Sequence, residues 1–339
     1  MDKMTSRLAA AAVVAGVAVL GAGCATDAAA PAGGHPSAAA AGSPALPNPF
    51  TITARYSAKS LGLDHPDELE AGPDGNLYVT DLSQRVTVIS PGGKVLRRWG
   101  KPGTGPGEFK FIANDLADPT DVAGRMAVGP NGLVYVSDSG NARVQVFTPQ
   151  GRFIRQFGSY GSGKGQFFFT ADLVVDGSGN VYVADDANLT LAKFSPTGKV
   201  IWQIGGSTSS DPDLAGHPVP GSIDAHGRVV MFNDGQRKVL YIDPGGHKVD
   251  AFSPDSSFFF KGYMCEVTVD AAGNTYVTGC GPKPPAPTLV YNRAHRLVAK
   301  WPGSKFPLQT SPVFGPDGEV FALAWDGSIL RLRITLPAR

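Results

Sequence analysis

The chain has 339 residues, and its 30 Lys and Arg side chains nearly balance its 29 Asp and Glu side chains, which leaves a formal net charge of +1. Without a run of Lys or Arg, neither composition nor charge pattern indicates a nucleic-acid ligand or a membrane contact beyond the N-terminal segment. Function must therefore be inferred from motifs and repeats.

The first 23 residues have the pattern of a signal peptide. Lys3 and Arg7 precede an apolar run over residues 8–20, which is too short and too rich in alanine to span a bilayer comfortably. The run ends in the sequence LGAGC, which resembles a bacterial lipobox and implies that Cys24 becomes the lipidated N-terminus. Gly21 departs from the residue usual at its position, so secretion without a lipid is the alternative. Either outcome places the mature chain outside the cytoplasm, and lipidation would anchor it to the cell membrane.

A low-complexity segment follows the signal peptide. Residues 25–49 are almost all Ala, Pro, Gly and Ser, with Asp27 as the one charged residue. Such a segment buries too little apolar surface to offset the entropy lost on ordering. We therefore predict a signal peptide over residues 1–23, a lipidated cysteine and disordered tether over residues 24–49, and a folded domain over residues 50–339.

A ten-residue phrase recurs six times in the folded domain. It is clearest as GPDGNLYVTD, GPNGLVYVSD and DGSGNVYVAD, which end at Asp81, Asp138 and Asp185, and three weaker copies follow. The turn glycines of successive copies are spaced by 57, 47, 48, 46 and 45 residues. Six repeats, each long enough for about four strands, predict an all-β fold, a six-bladed β-propeller with four-stranded antiparallel blades.

The last repeat is one strand short of a complete blade. The missing outer strand is predicted at residues 50–58, where Ile52, Ala54 and Tyr56 alternate with polar neighbours. An N-terminal strand in that place would close the ring and remove the seam that it would otherwise leave.

The second repeat resembles an NHL repeat almost throughout. The resemblance is carried by YVSDSGNARVQVF at residues 135–147 and by GKGQF at residues 163–167. Within it, Asp138, Asn141 and Arg143 are predicted to brace a turn, since Asp accepts backbone N–H bonds and Asn tolerates unusual φ angles. The first three repeats match well and the last three are degenerate.

The resemblance covers residues 69–335 and implies a propeller distantly similar to amidating-lyase-like and lactonase-like enzymes. Those families place metal ligands at the start of strand a, the innermost strand of each blade. The equivalent positions, eight residues before each turn glycine, are Asp67, Gly124, Ala171, Val219, Cys265 and Thr310. Zinc needs about three or four converging ligands and calcium about six to eight oxygens. Because Asp67 is the one good ligand in this ring, we expect no metal site there.

The next position of each repeat gives a different ring. Its members are Glu68, Arg125, Asp172, Pro220, Glu266 and Ser311. One interpretation is a charged tunnel mouth that binds a cationic or polar group, or a calcium ion whose shell water completes. The alternative is an ion-paired belt from Glu68 through Arg125 to Asp172 that balances charge and ties blades together. We take Asp67, Glu68, Arg125, Asp172 and Glu266 as candidate ligand-binding residues and assign no catalytic residue.

Two cysteines remain once Cys24 is set aside, and an even count in an exported protein favours a disulfide. If Asp270 faces Thr275 across the turn of the fifth repeat, Cys265 and Cys280 lie directly opposite each other, at a spacing that a disulfide accepts. A shift of one residue in that turn would put them on opposite faces, and two buried thiols are then the alternative.

These features predict a recognition platform at the cell envelope that binds a protein, a peptide or a glycan. A lyase or lactonase with a metal in the tunnel is the alternative, and a purely structural envelope protein is the third. The first two turn glycines are about ten residues further apart than the others, and the excess predicts a long loop beside the tunnel mouth, at residues 110–120.

Overall fold

A computed structural model describes residues 46–111, 124–233, 235–255, 257, 264–279, 286–302 and 307–337. Within those ranges no helix has the length and the hydropathy to span a bilayer. The predicted signal peptide, Cys24 and nearly all of the predicted tether lie outside the described residues, as does most of the predicted loop at residues 110–120.

The described residues contain 24 strands and one short α-helix. They begin with β1 (Phe50–Tyr56) and α1 (Ala58–Leu61). Blade 1 consists of β2–β5, which span Pro66–Ala71, Leu77–Asp81, Arg85–Ile89 and Val95–Trp99. Blade 2 consists of β6–β9, which span Met126–Val128, Val134–Asp138, Arg143–Phe147 and Phe153–Phe157. Blade 3 consists of β10–β13, which span Thr170–Val175, Val181–Asp185, Thr190–Phe194 and Val200–Gly205.

The second half of the ring repeats this arrangement. Blade 4 consists of β14–β17, which span Pro218–Ile223, Val229–Asn233, Lys238–Ile242 and Lys248–Phe252. Blade 5 consists of β18–β21, which span Met264–Val269, Thr275–Gly279, Thr288–Tyr291 and Leu297–Trp301. Blade 6 consists of β22 (Val313–Phe314), β23 (Val320–Leu323) and β24 (Ile329–Ile334), with β1 as its fourth strand. The prediction of six four-stranded antiparallel blades is confirmed.

Strand β1 closes the ring as predicted. It pairs antiparallel with β24, from Phe50 opposite Ile334 to Tyr56 opposite Ile329. Ile52, Ala54 and Tyr56 share the half-buried face, while the residues between them are exposed. The strand ends at Tyr56 and not at residue 58, because Ser57 caps α1 by accepting a hydrogen bond from the Ser60 amide.

The hydrophobic core lies between the blades. The described buried residues form six clusters, and each cluster joins two neighbouring blades. We call the four strands of a blade a to d in order from the tunnel outward, and the second residue of strand b is a buried tyrosine in four blades, at Tyr78, Tyr135, Tyr182 and Tyr276. Three of these hydroxyls donate to an aspartate of the preceding turn, for example Tyr276 to Asp270 at 3.0 Å. Neighbouring blades therefore share a core that neither could form alone.

The turn-bracing role predicted for Asp138 is confirmed. Its carboxylate accepts hydrogen bonds from the Asn141 side chain at 3.0 Å, from Arg143 Nε at 2.7 Å and from Gln145 Nε2 at 2.9 Å. It also accepts one from the backbone N–H of Lys110 at 2.7 Å, which fixes the linker that enters blade 2. The residues that carry the NHL resemblance thus hold the loops at one end of the ring.

The turn of blade 5 differs by one residue from the register on which the disulfide was predicted. Thr275 pairs with Val269 and not with Asp270, and a bulge lies between Met264 and Glu266. The cause is a longer turn, in which the Asp270 side chain accepts the Asn274 N–H at 2.8 Å and the two residues also pair through their backbones. The backbone of Cys265 falls in this bulge.

The disulfide itself stays a prediction, because Cys280 and the side chain of Cys265 lie outside the described residues. A bulge changes the direction of the side chain that it carries, so the corrected register neither supports nor contradicts the disulfide. Titration of the denatured, unreduced chain lacking residues 1–24 is expected to find almost no free thiol. Two free thiols per chain would contradict the bridge.

Candidate functional site

The innermost strands of all six blades surround a central tunnel. A cavity of about 240 Å³ is lined by strand a of every blade, with Glu70, Val174 and Thr268 among the contributing residues. Strand a of each blade begins at the same end of the ring, which we call the upper face. The linkers between blades and the turns between strands b and c also lie there.

The candidate residues Asp67, Glu68 and Asp172 meet around one guanidinium at the upper end of the tunnel. Arg125 directly precedes strand β6, and its Nη1 donates to Glu68 Oε2 at 2.8 Å. Arg125 Nε lies 3.2 Å from Asp172 Oδ1 and 3.7 Å from Asp67 Oδ2. The arginine of blade 2 therefore bridges the carboxylates of blades 1 and 3, which is the ion-paired belt that the sequence offered as one alternative.

Glu266 of blade 5 stands apart from this belt. Its Oε2 accepts a hydrogen bond from the backbone N–H of Ser311, the equivalent position of blade 6. The Ser311 hydroxyl in turn bonds to Thr278 Oγ1 at 2.9 Å. Glu266 thus links blades 5 and 6, while Arg125 links blades 1, 2 and 3. We call Asp67, Glu68, Arg125, Asp172 and Glu266 together the tunnel mouth.

Burial dominates the electrostatics of the tunnel mouth. It raises the pKa of Glu68 to about 7, because Arg125 only partly offsets burial and the nearby charge of Asp172. Burial, and then repulsion from Glu68, raises the pKa of Glu266 well above its usual value. Burial also raises the pKa of Asp172, against the pull of Arg125. Burial lowers the pKa of Arg125, but the three carboxylates raise it more, so the guanidinium stays charged.

A further carboxyl group, Glu70, was not among the sequence candidates. It lies two residues after Glu68 on strand β2, so its side chain points to the same side of that strand and lines the cavity deeper in the tunnel. Burial, and then the charge of Glu68, raises the pKa of Glu70 well above its usual value. The alternation of charged residues in the sequence DELE at residues 67–70 is the signal that could have predicted it.

No group of three or more His, Cys, Asp or Glu side chains that could hold a metal ion occurs in the described part of the chain. Arg125 occupies the space between Glu68, Asp67 and Asp172, so a cation already stands where these carboxylates converge. Arg125 thus supplies the positive charge among these three carboxylates.

Comparison with known proteins supports the fold. A protein family described as a 6-bladed beta-propeller matches residues 128–204. Peptidyl-glycine alpha-amidating monooxygenase of Mus musculus is 38% identical over 114 residues, which are 30% of this chain and 10% of that protein. NHL repeat-containing protein 3 of Homo sapiens is 32% identical over 95 residues, which are 27% of this chain and 24% of that protein. The chain thus spans a quarter or less of the length of these relatives.

A structural neighbour covers more of the chain. A streptogramin B lyase structure superposes with a TM-score of 0.57 at 14% sequence identity, over 84% of this chain and 98% of that one. At this identity the match establishes the fold alone. The chain is a six-bladed β-propeller with NHL-repeat and amidating-lyase-like relatives, which confirms the resemblance drawn from the repeats.

Proposed function

We propose that this chain is a recognition module of the cell envelope, which binds a protein, peptide or glycan at the tunnel mouth and the loops around it. The proposal rests on the partial exposure of Arg125 within a ring of more deeply buried carboxylates. Its side chain keeps 28% of its surface exposed, while Asp67, Glu68 and Asp172 around it are 7 to 19% exposed at the side chain. The carboxylates hold the guanidinium in place, and the guanidinium is the group that meets a ligand.

The tunnel mouth offers donors and acceptors in a small space. Arg125 has five N–H donors, more than its contacts with Glu68 and Asp172 use. Glu266 keeps a proton to higher pH than a free glutamate because its pKa is raised, and a protonated carboxyl both donates and accepts. Such a set suits peptide groups or sugar hydroxyls, each of which both donates and accepts hydrogen bonds.

The N-terminal segment gives the proposed location. The sequence predicts export through residues 1–23 and anchoring through a lipid on Cys24. A tether over residues 24–49 would hold the propeller near the membrane surface. The lipid would be the chain's contact with the membrane, and nucleic acid is not among the proposed ligands.

A metal-dependent lyase or lactonase is the second candidate, because a lyase structure shares the fold and an amidating enzyme is among the relatives. The tunnel mouth favours the first candidate, since Arg125 stands between the carboxylates that would otherwise converge on an ion. Calcium at this site would require Arg125 to move away from Glu68 and Asp172.

The proposal is tested in two steps. The full chain is expected in the membrane fraction of cells and a Cys24→Ser variant outside it. The chain lacking residues 1–24 is then applied to a glycan array and to a displayed peptide library, and its metal content is measured. We expect ligands whose binding is lost in Arg125→Gln, because charge-assisted hydrogen bonds are the stronger ones. Binding should weaken about tenfold in Glu266→Ala, which removes a donor and an acceptor together.

Arg331→Gln is the matched control, because Arg331 pairs with Glu319 on the outer part of blade 6, away from the tunnel. Binding should survive in this variant. Ligands that bind Arg125→Gln and wild type equally, with both variants folded by circular dichroism, would contradict a site at the tunnel mouth. A stoichiometric, tightly held metal would favour the lyase or lactonase candidate instead.

A further inference from the structure

Two aromatic side chains are exposed together on the upper face. Tyr160 is 73% exposed and Phe168 is 39% exposed. Their ring centroids lie 5.1 Å apart and the rings are inclined at 66°. We call these two residues the aromatic corner. The other large hydrophobic side chains exposed in the described residues are aliphatic, at Leu96, Ile154, Ile201 and Val249.

The aromatic corner stands on an ordered loop, the linker between blades 2 and 3. The backbone N–H of Gly161 donates to the Phe167 carbonyl at 3.0 Å, and that of Phe167 donates to Ser159 at 2.9 Å. The N–H of Phe168 donates to Asp185 Oδ2 at 2.9 Å. Phe167 itself is 1% exposed and anchors the loop in the core. The loop that carries the two exposed rings is therefore ordered before any ligand arrives.

A second linker of the same form shows that the fold does not require these rings. In the linker between blades 1 and 2, the N–H of Gly103 donates to Phe109 and the N–H of Phe109 donates to Lys101, in the same pattern. Phe109 is fully buried, as Phe167 is. Pro102 and Lys110 occupy the positions that correspond to Tyr160 and Phe168. The aromatic corner is thus an addition to a loop that folds without it.

The aromatic corner lies beside the tunnel mouth. Phe168 is four residues before Asp172, whose carboxylate contacts Arg125. Four extended residues span at most about 14 Å, so a ligand of three or four units reaches both places. Exposed aromatic rings next to a polar site are typical of binding surfaces.

We propose that the aromatic corner stacks against sugar rings of an envelope glycan, whose next units extend to the tunnel mouth. This inference rests on the proposed function and names its ligand class. Aromatic side chains have about 150 to 250 Å² of surface, so the exposed fractions of Tyr160 and Phe168 leave about 200 Å². A protein partner needs about 800 Å² on each side. The smaller exposed area of the aromatic corner matches one or two sugar rings.

The chemistry of the loop favours a glycan over a peptide. Peptides commonly bind by adding a strand to free backbone groups. Here the N–H groups of Gly161, Gln166, Phe167 and Phe168 are already bonded within the protein. Ring faces carry negative charge density, which suits the polarised C–H groups on the flat side of a pyranose. The loop thus presents the surfaces of aromatic rings and not a row of free backbone hydrogen-bonding groups.

The test uses the chain lacking residues 1–24 and two soluble probes, chitotetraose and cellotetraose, with an uncharged pentapeptide for comparison. Dissociation constants are measured by calorimetry or by saturation-transfer NMR. At least one glycan probe is expected to bind, and Tyr160→Pro with Phe168→Lys should weaken it at least tenfold. These substitutions introduce the residues that the linker between blades 1 and 2 has at the same positions, so the fold should persist. Tyr160→Trp should keep binding, and Val249→Ser, which removes an exposed side chain elsewhere, should leave it unchanged.

Three results would overturn the inference. The first is that neither glycan probe binds. The second is that a glycan probe binds the wild type and the double variant with equal affinity. The third is that the pentapeptide binds and that its binding depends on the two rings. The proposed function is judged separately by Arg125→Gln. If a ligand from the array or library requires Arg125 for binding but not the two aromatic rings, the proposed function is supported and the glycan inference is contradicted.

Discussion

Deletion of residues 50–56 is expected to destabilise the whole propeller, not just its last blade. Strand β1 supplies the fourth strand of blade 6, and its removal leaves the backbone of β24 unpaired along one side. It also removes Phe50, which is 4% exposed and packs edge-on against Trp301 at 5.2 Å and Tyr276 at 6.2 Å, both in blade 5. The N-terminal strand thus ties two blades and closes the ring.

A point substitution tests the same contact on a smaller scale. Phe50→Ala is expected to cost about 3 to 5 kcal/mol, because it opens a cavity between blades 5 and 6. For a domain of this size that corresponds to a fall of about 5 to 8 °C in the melting temperature. Thr51→Ala alters the exposed face of the same strand and should change the free energy of unfolding by less than about 0.5 kcal/mol. A melt unchanged by the deletion would show that β1 does not close the ring.

Most of the fold could be predicted because each repeat is recognisable from a short stretch of its own sequence. The turn glycines at 75 and 132 have φ angles of 75° and 76°, which is the left-handed region that glycine adopts without strain. The alternation of Ile52, Ala54 and Tyr56 was enough to identify a half-buried strand, although its partner lies nearly three hundred residues away. The blade count followed from the spacing alone.

The finer geometry could not be predicted with the same success. The blade 5 turn holds one more residue than predicted, because Asp270 and Asn274 bond to each other in a way that a spacing rule does not reveal. The belt through Arg125 was one of two alternatives, and only side-chain positions distinguish them. Glu70 was missed because the ring of candidates was drawn at one level of the tunnel, whereas strand β2 continues inward.

The tunnel mouth should make the stability of the wild-type chain depend on pH. Glu68 has a pKa of about 7 in the folded chain against 4.5 as its ordinary value, so folding takes up a proton between these limits. Its contribution to stability is complete below about pH 4.5 and is lost as the pH rises through about 7. Glu70 and Glu266 act in the same direction, since their pKa values are also raised.

Replacing Arg125 by Met should steepen this dependence. Loss of the guanidinium leaves Asp67, Glu68 and Asp172 without their shared cation, and breaking a buried pair costs about 3 to 5 kcal/mol. Because Arg125 is 28% exposed, we expect about 3 kcal/mol at pH 8. The cost should shrink toward pH 5, since the carboxyl groups can then take up protons instead of remaining charged beside one another.

Urea unfolding at pH 5, 6, 7 and 8 measures both effects. Adding Glu68→Gln to Arg125→Met should restore part of the stability at pH 8, because one unpaired carboxylate is gone. Arg331→Met, which breaks a surface pair with Glu319, should cost less than about 1 kcal/mol. Glu108→Gln gives a control of opposite sign: hydrogen bonds from Gly105 and Lys101 lower the pKa of Glu108, so its contribution is lost as the pH falls. An Arg125→Met cost that is equal at pH 5 and pH 8 would contradict a belt held together by ionised carboxylates.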